Sequence, residues 1–211
     1  MKNVKTTLSA LALSVVMLFT ACSGGNNVEF KRGSYDESAK KYTSETFGLS
    51  AAFDDKWTVQ DGKYLGKLSG ITASDPTDED FKKQLENTGM IFDLYAAHTD
   101  TTTGNSINIT VENLKKTGNQ GMSEEGYIDA SIPQLKEQFG AQGFTVDKAE
   151  KGKITFIGKE SVCGFVTVSK DGVTVHEVQV TVKKGVYMAT VTFASYDEKT
   201  LDELVKMFSA A

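Results

Sequence analysis

Two cysteines and two histidines are the residues of this 211-residue chain that could take part in the widest range of chemistry. Cys22 and Cys163 are far apart and form no C-x-x-C pair, and His98 and His176 have no obvious third metal ligand. The sequence also contains no G-x-S-x-G elbow, P-loop, H-E-x-x-H or Rossmann glycine pattern. We therefore expect no catalytic residue, no metal site and no cofactor, and the ligand-binding residues stay open.

The first residues have the order of a targeting segment. Lys2 and Lys5 form a short basic region, and an apolar run extends from Leu8 to Phe19. A membrane-spanning helix needs about 20 apolar residues, so this run is too short to cross a bilayer and is typical of a secretory signal peptide. We predict a signal peptide over residues 1–21.

Cys22 follows this run directly. Ala21 precedes it, and the polar, flexible residues 23–27 come after it. The arrangement resembles the lipobox of bacterial lipoproteins, in which the chain is cleaved between Ala21 and Cys22 and the Cys22 thiol carries the lipid. Phe19, not leucine, stands three residues before the cysteine, with Leu18 one place earlier. The alternatives are an ordinary signal peptide that contains a cysteine, or an uncleaved anchor.

The other candidate residues each have a structural interpretation. Cys163 lies in a strand-like run and is predicted to be a small buried residue, because free cysteine is among the most buried residue types; the alternative is a nucleophile. His98 and His176 are expected to be exposed or hydrogen-bonded polar residues. Four tyrosines could line a ligand cleft or cover the core and sheet edges: Tyr64, Tyr95, Tyr127 and Tyr187.

Charge and composition argue against nucleic-acid binding. Removal of the leader takes away Lys2 and Lys5 and no acid, which leaves 21 basic against 28 acidic residues and a net charge of −7. Arg32 is the only arginine, although arginine is the preferred residue for phosphates and base edges. The lysines are expected to form a solvated surface.

The polar residues after Cys22 predict a flexible tether over residues 22–40, with Phe30 as the one hydrophobic outlier. Eighteen flexible residues reach roughly 20–25 Å, enough to hold a small domain clear of a membrane. Residues 41–211 are then expected to form a single α+β domain.

Alternation and helix caps predict the elements of the first half of this domain. A strand over Phe47 to Phe53 leads through a turn to Trp57, a lone tryptophan expected to anchor the core. Thr77 and Asp80 form a capping box at a helix start; the acids around them also fit a calcium site, but without EF-hand spacing. Two strands joined by a hairpin loop follow, over Met90 to His98 and Ser106 to Leu114.

The second half reads as a long helix, a meander and a short final helix. The long helix begins at Ser123 and contains Pro133, which is expected to bend it or divide it. A capping box of Ser195 and Glu198 is expected to begin the last helix, whose apolar stripe is Leu201, Leu204, Val205 and Phe208. The meander is predicted over Phe144 to Val146, Ile154 to Ile157, Val162 to Val168, Val173 to Val182 and Val186 to Phe193.

This order of elements resembles the PsbP-like fold, which photosystem II PsbP proteins share with DcrB-type bacterial lipoproteins. The resemblance spans Tyr42 to Phe208 and rests on Phe47-Gly48-Leu49, on Trp57 after a turn, and on the terminal Leu201-Leu204-Phe208 helix. It implies an antiparallel sheet covered by amphipathic helices and a binding or assembly role without catalysis. No functional residue is carried over, because the matching positions are structural.

Together these features predict a lipoprotein of the bacterial cell envelope, held by Cys22 on the extracytoplasmic side of a membrane. Its partners are expected to be the membrane lipid and an unknown protein or envelope component, with no nucleic acid. The alternatives are a small-molecule binding lipoprotein that serves a transporter, and an envelope enzyme that uses Cys163 or a histidine.

Overall fold

The computed structural model of the chain describes residues 28–211. The predicted signal peptide, the lipid site at Cys22 with its cleavage at Ala21, and residues 23–27 of the predicted tether lie outside the described residues and stay predictions. None of the helices in the described part of the chain is long and apolar enough to cross a membrane.

Eleven strands and four α-helices are described. The strands are β1 (Ser34–Asp36), β2 (Lys41–Ser44), β3 (Leu49–Ala52), β4 (Trp57–Val59), β5 (Met90–His98), β6 (Ser106–Asn113), β7 (Thr145–Phe156), β8 (Lys159–Lys170), β9 (Val173–Lys184), β10 (Tyr187–Ser195) and β11 (Phe208–Ala210). The helices are α1 (Gly62–Leu68), α2 (Asp78–Thr88), α3 (Glu124–Ala141) and α4 (Leu201–Lys206), with a 3₁₀ turn over Glu198–Thr200.

The strands form two antiparallel sheets. The large sheet has the order β4-β5-β6-β10-β9-β8-β7, and the small sheet has the order β1-β2-β3-β11. The run from β7 to β10 is the predicted meander, and β10 then pairs with β6. The expected α+β class with an antiparallel sheet is confirmed.

Alternation along the strands gives the large sheet two buried faces. Residues such as Ile109, Val180 and Val191 join the first core, which also contains residues of the small sheet, α2 and α4. The opposite face contributes Met188 and Ala194 to a second core, which contains Leu135 and Phe139 of α3. The sheet is therefore the central layer between two unequal covers.

Helix caps follow the sequence closely in two helices. Thr77 Oγ1 accepts from the Asp80 N–H, and the Asp80 carboxylate accepts from the Thr77 N–H at 2.9 Å, which confirms the predicted capping box. Ser123 Oγ accepts from the Gly126 N–H at 3.1 Å, and α3 continues through Pro133 as one helix.

The structure corrects the predicted tether and the predicted meander strands. Phe30 is 6 % exposed and packs on Tyr187, and β1 pairs with β2, so the ordered fold begins before residue 41. The polar composition of this segment hid a strand that needs its partner to form. The two strands predicted over 144–146 and 154–157 are likewise parts of one continuous strand, β7. The charged residues between them lie at exposed or half-buried positions and do not interrupt the strand.

Two further expectations need correction. Trp57 is half-buried on an edge strand and does not anchor the core. Asp197, not Ser195, caps the 3₁₀ turn by accepting from the Lys199 N–H at 3.1 Å, while Ser195 Oγ accepts from the Asp197 N–H at 3.0 Å. The predicted apolar stripe is nonetheless buried, although Phe208 belongs to β11 and not to the helix.

The second face of the large sheet also buries carboxylates. Glu112 on β6 accepts from the hydroxyls of Thr117 and Tyr127 and from Asn119 Nδ2 at 3.0 Å, which ties α3 to the sheet. Glu177 on β9 is 2 % exposed and accepts from Gln179 Nε2 at 3.2 Å. Burial raises the pKa of Glu177 to about 7, and the Gln179 bond offsets only part of that shift.

The raised pKa of Glu177 predicts a stability that falls as the pH rises. Between pH 4.5 and about 7 the unfolded chain loses the Glu177 proton while the folded chain keeps it, so ionisation favours unfolding by about 3 kcal/mol above pH 7. Glu177→Gln mimics the protonated form, so we expect denaturant unfolding to show a gain near this size at pH 8 and none at pH 4. Glu137→Gln, at an exposed position on α3, is the matched control; equal gains at both pH values would contradict the prediction.

Candidate functional site

Asp93 lies at a bulge in β5. Phe92 is opposite Thr110 and Leu94 is opposite Ile109, so Asp93 is the extra residue of the pair of strands. A bulge redirects a side chain that would otherwise follow the regular alternation. The Asp93 side chain is fully buried, and it accepts hydrogen bonds from a segment that precedes it by 60 residues.

Gly33 and Tyr42 hold this carboxylate. The Gly33 N–H donates to the two Asp93 oxygens at 3.0 and 3.1 Å, and the Tyr42 hydroxyl donates to Oδ2. A Cβ atom on residue 33 would lie 2.3 Å from the Tyr42 oxygen, so glycine is required there. Burial raises the pKa of Asp93, and the hydrogen bond from Tyr42 partly offsets the rise. Burial, together with the Asp93 charge, raises the pKa of Tyr42 well above its ordinary value.

Arg32 lies beside this carboxylate. Its guanidinium carbon is 4.0 Å from the centre of the Phe81 ring, its NH1 donates to Asp78 at 3.2 Å, and its Nε is 3.8 Å from Asp93 Oδ1. The side chain is only 15 % exposed, and Nε has no hydrogen-bond partner among the described residues. The planar cation is therefore fixed by an aromatic face and two acids.

Two cavities adjoin Arg32, with volumes of about 350 Å³ and about 320 Å³. Both are lined by Arg32, Ser34 and Asp78. We call the two together the Arg32 cleft. Each volume is within the range of small-molecule sites, which begins at about 300 Å³.

The two halves of the cleft differ in charge. The described residues that line the larger cavity include three cations and three acids, among which Lys31 and Glu45 form an ion pair at 3.0 Å. Among the described residues that line the smaller cavity, Arg32 is the only cation, and the acids are Glu37, Asp61, Asp78 and Asp93. Tyr35 and Tyr42 complete its aromatic wall. Arg32 and the exposed acids Glu37, Asp61 and Asp78 can form charge-assisted hydrogen bonds of both signs with a ligand.

The candidate residues from the sequence lie elsewhere. Cys163 is fully buried in the first core, as predicted, and burial raises the pKa of its thiol to about 11. His98 packs against Trp57 with ring centres 5.6 Å apart, and its Nδ1 accepts from the Asp100 N–H at 3.1 Å. His176 lies 3.1 Å from the Thr167 hydroxyl. None of these side chains lines the cleft, and no group of three metal-ligating residues is found within residues 28–211.

The four tyrosines that were candidates for a cleft lie in the core or pack against it. Tyr95 and Tyr127 are buried, and Tyr64 packs on Tyr95 with ring centres 5.8 Å apart. Tyr187 is half-buried against Phe30. The cleft tyrosines are instead Tyr35 and Tyr42, which no local pattern indicated. The one available signal was the presence of the only arginine beside an isolated Phe30 in a polar segment.

No family model matches the chain, and no curated protein matches it. Among solved structures the chain is similar to the solution structure of cyanobacterial PsbP (CyanoP) from Synechocystis sp. PCC 6803, at a TM-score of 0.44 and 12 % identity over 90 % of this chain and 98 % of that chain. A crystal structure from Bacteroides thetaiotaomicron VPI-5482 matches at a TM-score of 0.38 and 12 % identity, over 82 % of this chain and 48 % of that one. The first match falls in the group that the sequence resembles. At these scores neither match informs function.

The geometry around Asp93 predicts a difference between two tyrosines of the cleft. Tyr42→Phe removes a donor to a buried carboxylate and should lower the free energy of unfolding by about 1.5–3 kcal/mol. Tyr35→Phe removes a hydroxyl from a half-buried ring and should change it by less than about 0.5 kcal/mol. Urea unfolding of both variants at one pH measures the difference; equal effects would contradict the assigned role of Asp93.

Proposed function

We propose that this chain is a lipid-anchored protein on the extracytoplasmic side of a bacterial membrane that binds a small charged ligand in the Arg32 cleft without transforming it. The observation that carries the proposal is the pair of cavities that meet at Arg32, whose guanidinium is already fixed by Phe81, Asp78 and Asp93. A fixed binding group loses little conformational freedom when a ligand arrives.

The position of the cleft in the chain supports a membrane-proximal role. Arg32 is ten residues after Cys22. Even a fully extended chain of that length spans at most roughly 35 Å. If Cys22 carries lipid, the cleft is held close to the membrane surface, where a ligand can be an envelope component or a solute on its way to a transporter.

The lining of the cleft supports binding over catalysis. Its side chains provide ion pairs, hydroxyls and aromatic walls. A nucleophile needs an adjacent base, and the Cys163 thiol is buried in the first core with a raised pKa. The cleft favours the small-molecule alternative over binding of a partner protein on a flat surface.

The lipid anchor is tested by Cys22→Ser. Two or three acyl chains make membrane attachment stable, since each buried methylene contributes about 0.8 kcal/mol. We expect the parent chain to enter the detergent-rich phase of a cloud-point extraction and the variant to stay in the aqueous phase. Cys163→Ala, which keeps the first core apolar, controls for loss of a thiol. A variant that partitions like its parent would exclude a lipid at Cys22.

Ligand binding is tested by blocking the cleft. Ser34 is exposed and lines both cavities, so Ser34→Trp should fill them without removing a core contact. We expect at least one member of a panel of amino acids, dipeptides, sugar phosphates and glycerophosphoethanolamine to raise the melting temperature of the parent but not of this variant. A ligand present at a hundred times its Kd stabilises by about 2.7 kcal/mol, a readily measured shift.

Lys136→Trp places the same side chain at an exposed position on α3 and is the matched control. A shift that survives in Ser34→Trp would place the site outside the cleft. If no compound shifts the parent, the small-ligand function is wrong and the partner-protein alternative replaces it.

A further inference from the structure

The outer edge of β7 is long. This strand has 12 residues and ends the order of the large sheet, and among the strands that the structure describes it pairs only with β8. The second edge of such a strand presents N–H and C=O groups that can pair with another chain. Specific pairing at an edge of this length requires side chains that select one partner strand and one register.

The charges at the centre of β7 are self-complementary. β7 has a bulge between Val146 and Lys148 and is regular from Lys148 onward. In this regular part, Lys148 and Glu150 carry opposite charges on either side of Ala149. If two copies of β7 pair antiparallel with Ala149 opposite Ala149, Lys148 of each copy lies opposite Glu150 of the other. Opposite charges at directly opposed positions stabilise a pair of strands, and like charges destabilise it.

This pairing selects one register. A two-fold axis perpendicular to the sheet passes between two copies of the same residue, because opposed residues must lie on the same face. An axis at Lys148 or Lys151 places two lysines opposite each other, and an axis at Glu150 places two glutamates opposite each other. Charged edge residues normally prevent pairing. Here they disfavour the neighbouring registers and favour the one centred on Ala149.

Lys148 and Glu150 are available for this contact. Lys148 Nζ lies 3.2 Å from Glu150 Oε1 in the same strand, and their side chains are 38 % and 60 % exposed. Phe165 supports the lysine, whose amine is 5.2 Å from the ring centre. In a dimer, Lys148 and Glu150 of each copy would therefore form one cluster of four charges, in which every charge neighbours the opposite sign. Lys151 already pairs with Glu125 and Asp129 of α3, so Lys148 and Glu150 decide the recognition.

We propose that two copies of this chain associate edge to edge through β7, with antiparallel pairing centred on Ala149, so that the two large sheets join into one continuous sheet. The partner is thus a second copy, and its recognition elements are the β7 backbone with Lys148 and Glu150. The inference is independent of the ligand and of the lipid anchor.

Disulfide trapping in the purified full-length chain tests the register. Directly opposed residues have Cβ atoms about 4.5–5.5 Å apart, so Ala149→Cys should form an interchain disulfide under mild oxidation and run as a dimer on a non-reducing gel. Lys153→Cys is the matched control: its side chain is 62 % exposed, but the two copies of residue 153 would be about 26 Å apart. We expect at least tenfold less cross-linking there. The chain without an added cysteine gives the background.

Charge reversal tests the recognition. In the Ala149→Cys chain, Lys148→Glu and Glu150→Lys should each weaken dimerisation about tenfold, since each places like charges at both symmetric contacts. The double exchange Lys148→Glu with Glu150→Lys restores opposite signs and should restore cross-linking. Circular dichroism of each variant checks that the fold is intact, since Ala149 packs partly against the second core and Lys148 is half-buried.

Two outcomes would overturn the proposal. Equal cross-linking of Ala149→Cys and Lys153→Cys would show random collision and not a fixed register. Failure of the double exchange to recover dimerisation would show that Lys148 and Glu150 do not oppose each other.

Discussion

The buried carboxylate of Asp93 is the constraint on which this fold and its cleft depend. A buried ionisable group is costly unless hydrogen-bond donors reach it. Among the described residues, Gly33 and Tyr42 donate to Asp93, and both lie near the start of the described chain. Gly33 and Tyr42 thereby attach the small sheet to the large one at a bulge. The same carboxylate attracts the Arg32 guanidinium, and the ring of Phe81 in α2 packs against one face of that guanidinium.

The second face of the large sheet also attaches a neighbouring element through a buried carboxylate. Glu112 accepts from the Tyr127 hydroxyl and positions α3, as Asp93 accepts from Tyr42 and positions β2. Burial raises the pKa of both tyrosines, so both hydroxyls stay donors at physiological pH. Buried carboxylates held by several donors favour one arrangement of the layers over others. The cleft forms where one of these attachments reaches the surface, beside the residues that connect to the proposed anchor.

Local patterns predicted the parts of the fold that local physics decides. The Thr77–Asp80 capping box, the Ser123 cap and the alternating strands of the meander all depend on neighbours within a few residues. The site could not be predicted in this way, because Asp93 and Gly33 are 60 residues apart and the bulge that joins them has no signature in the sequence. The polar segment before residue 41 reads as a tether for the same reason: its three-residue strand is stable only against β2.

The most direct test of this account is amide hydrogen exchange of Gly33, measured by NMR in the full-length chain. Its N–H donates to a buried carboxylate, so we predict that it exchanges within about an order of magnitude of the core amides of β6 and β10, because both open only with the whole fold. A flexible tether would expose that amide to solvent. If Gly33 exchanges at the rate of an exposed loop residue such as Asp75, the proposed attachment of the two sheets through Asp93 is wrong.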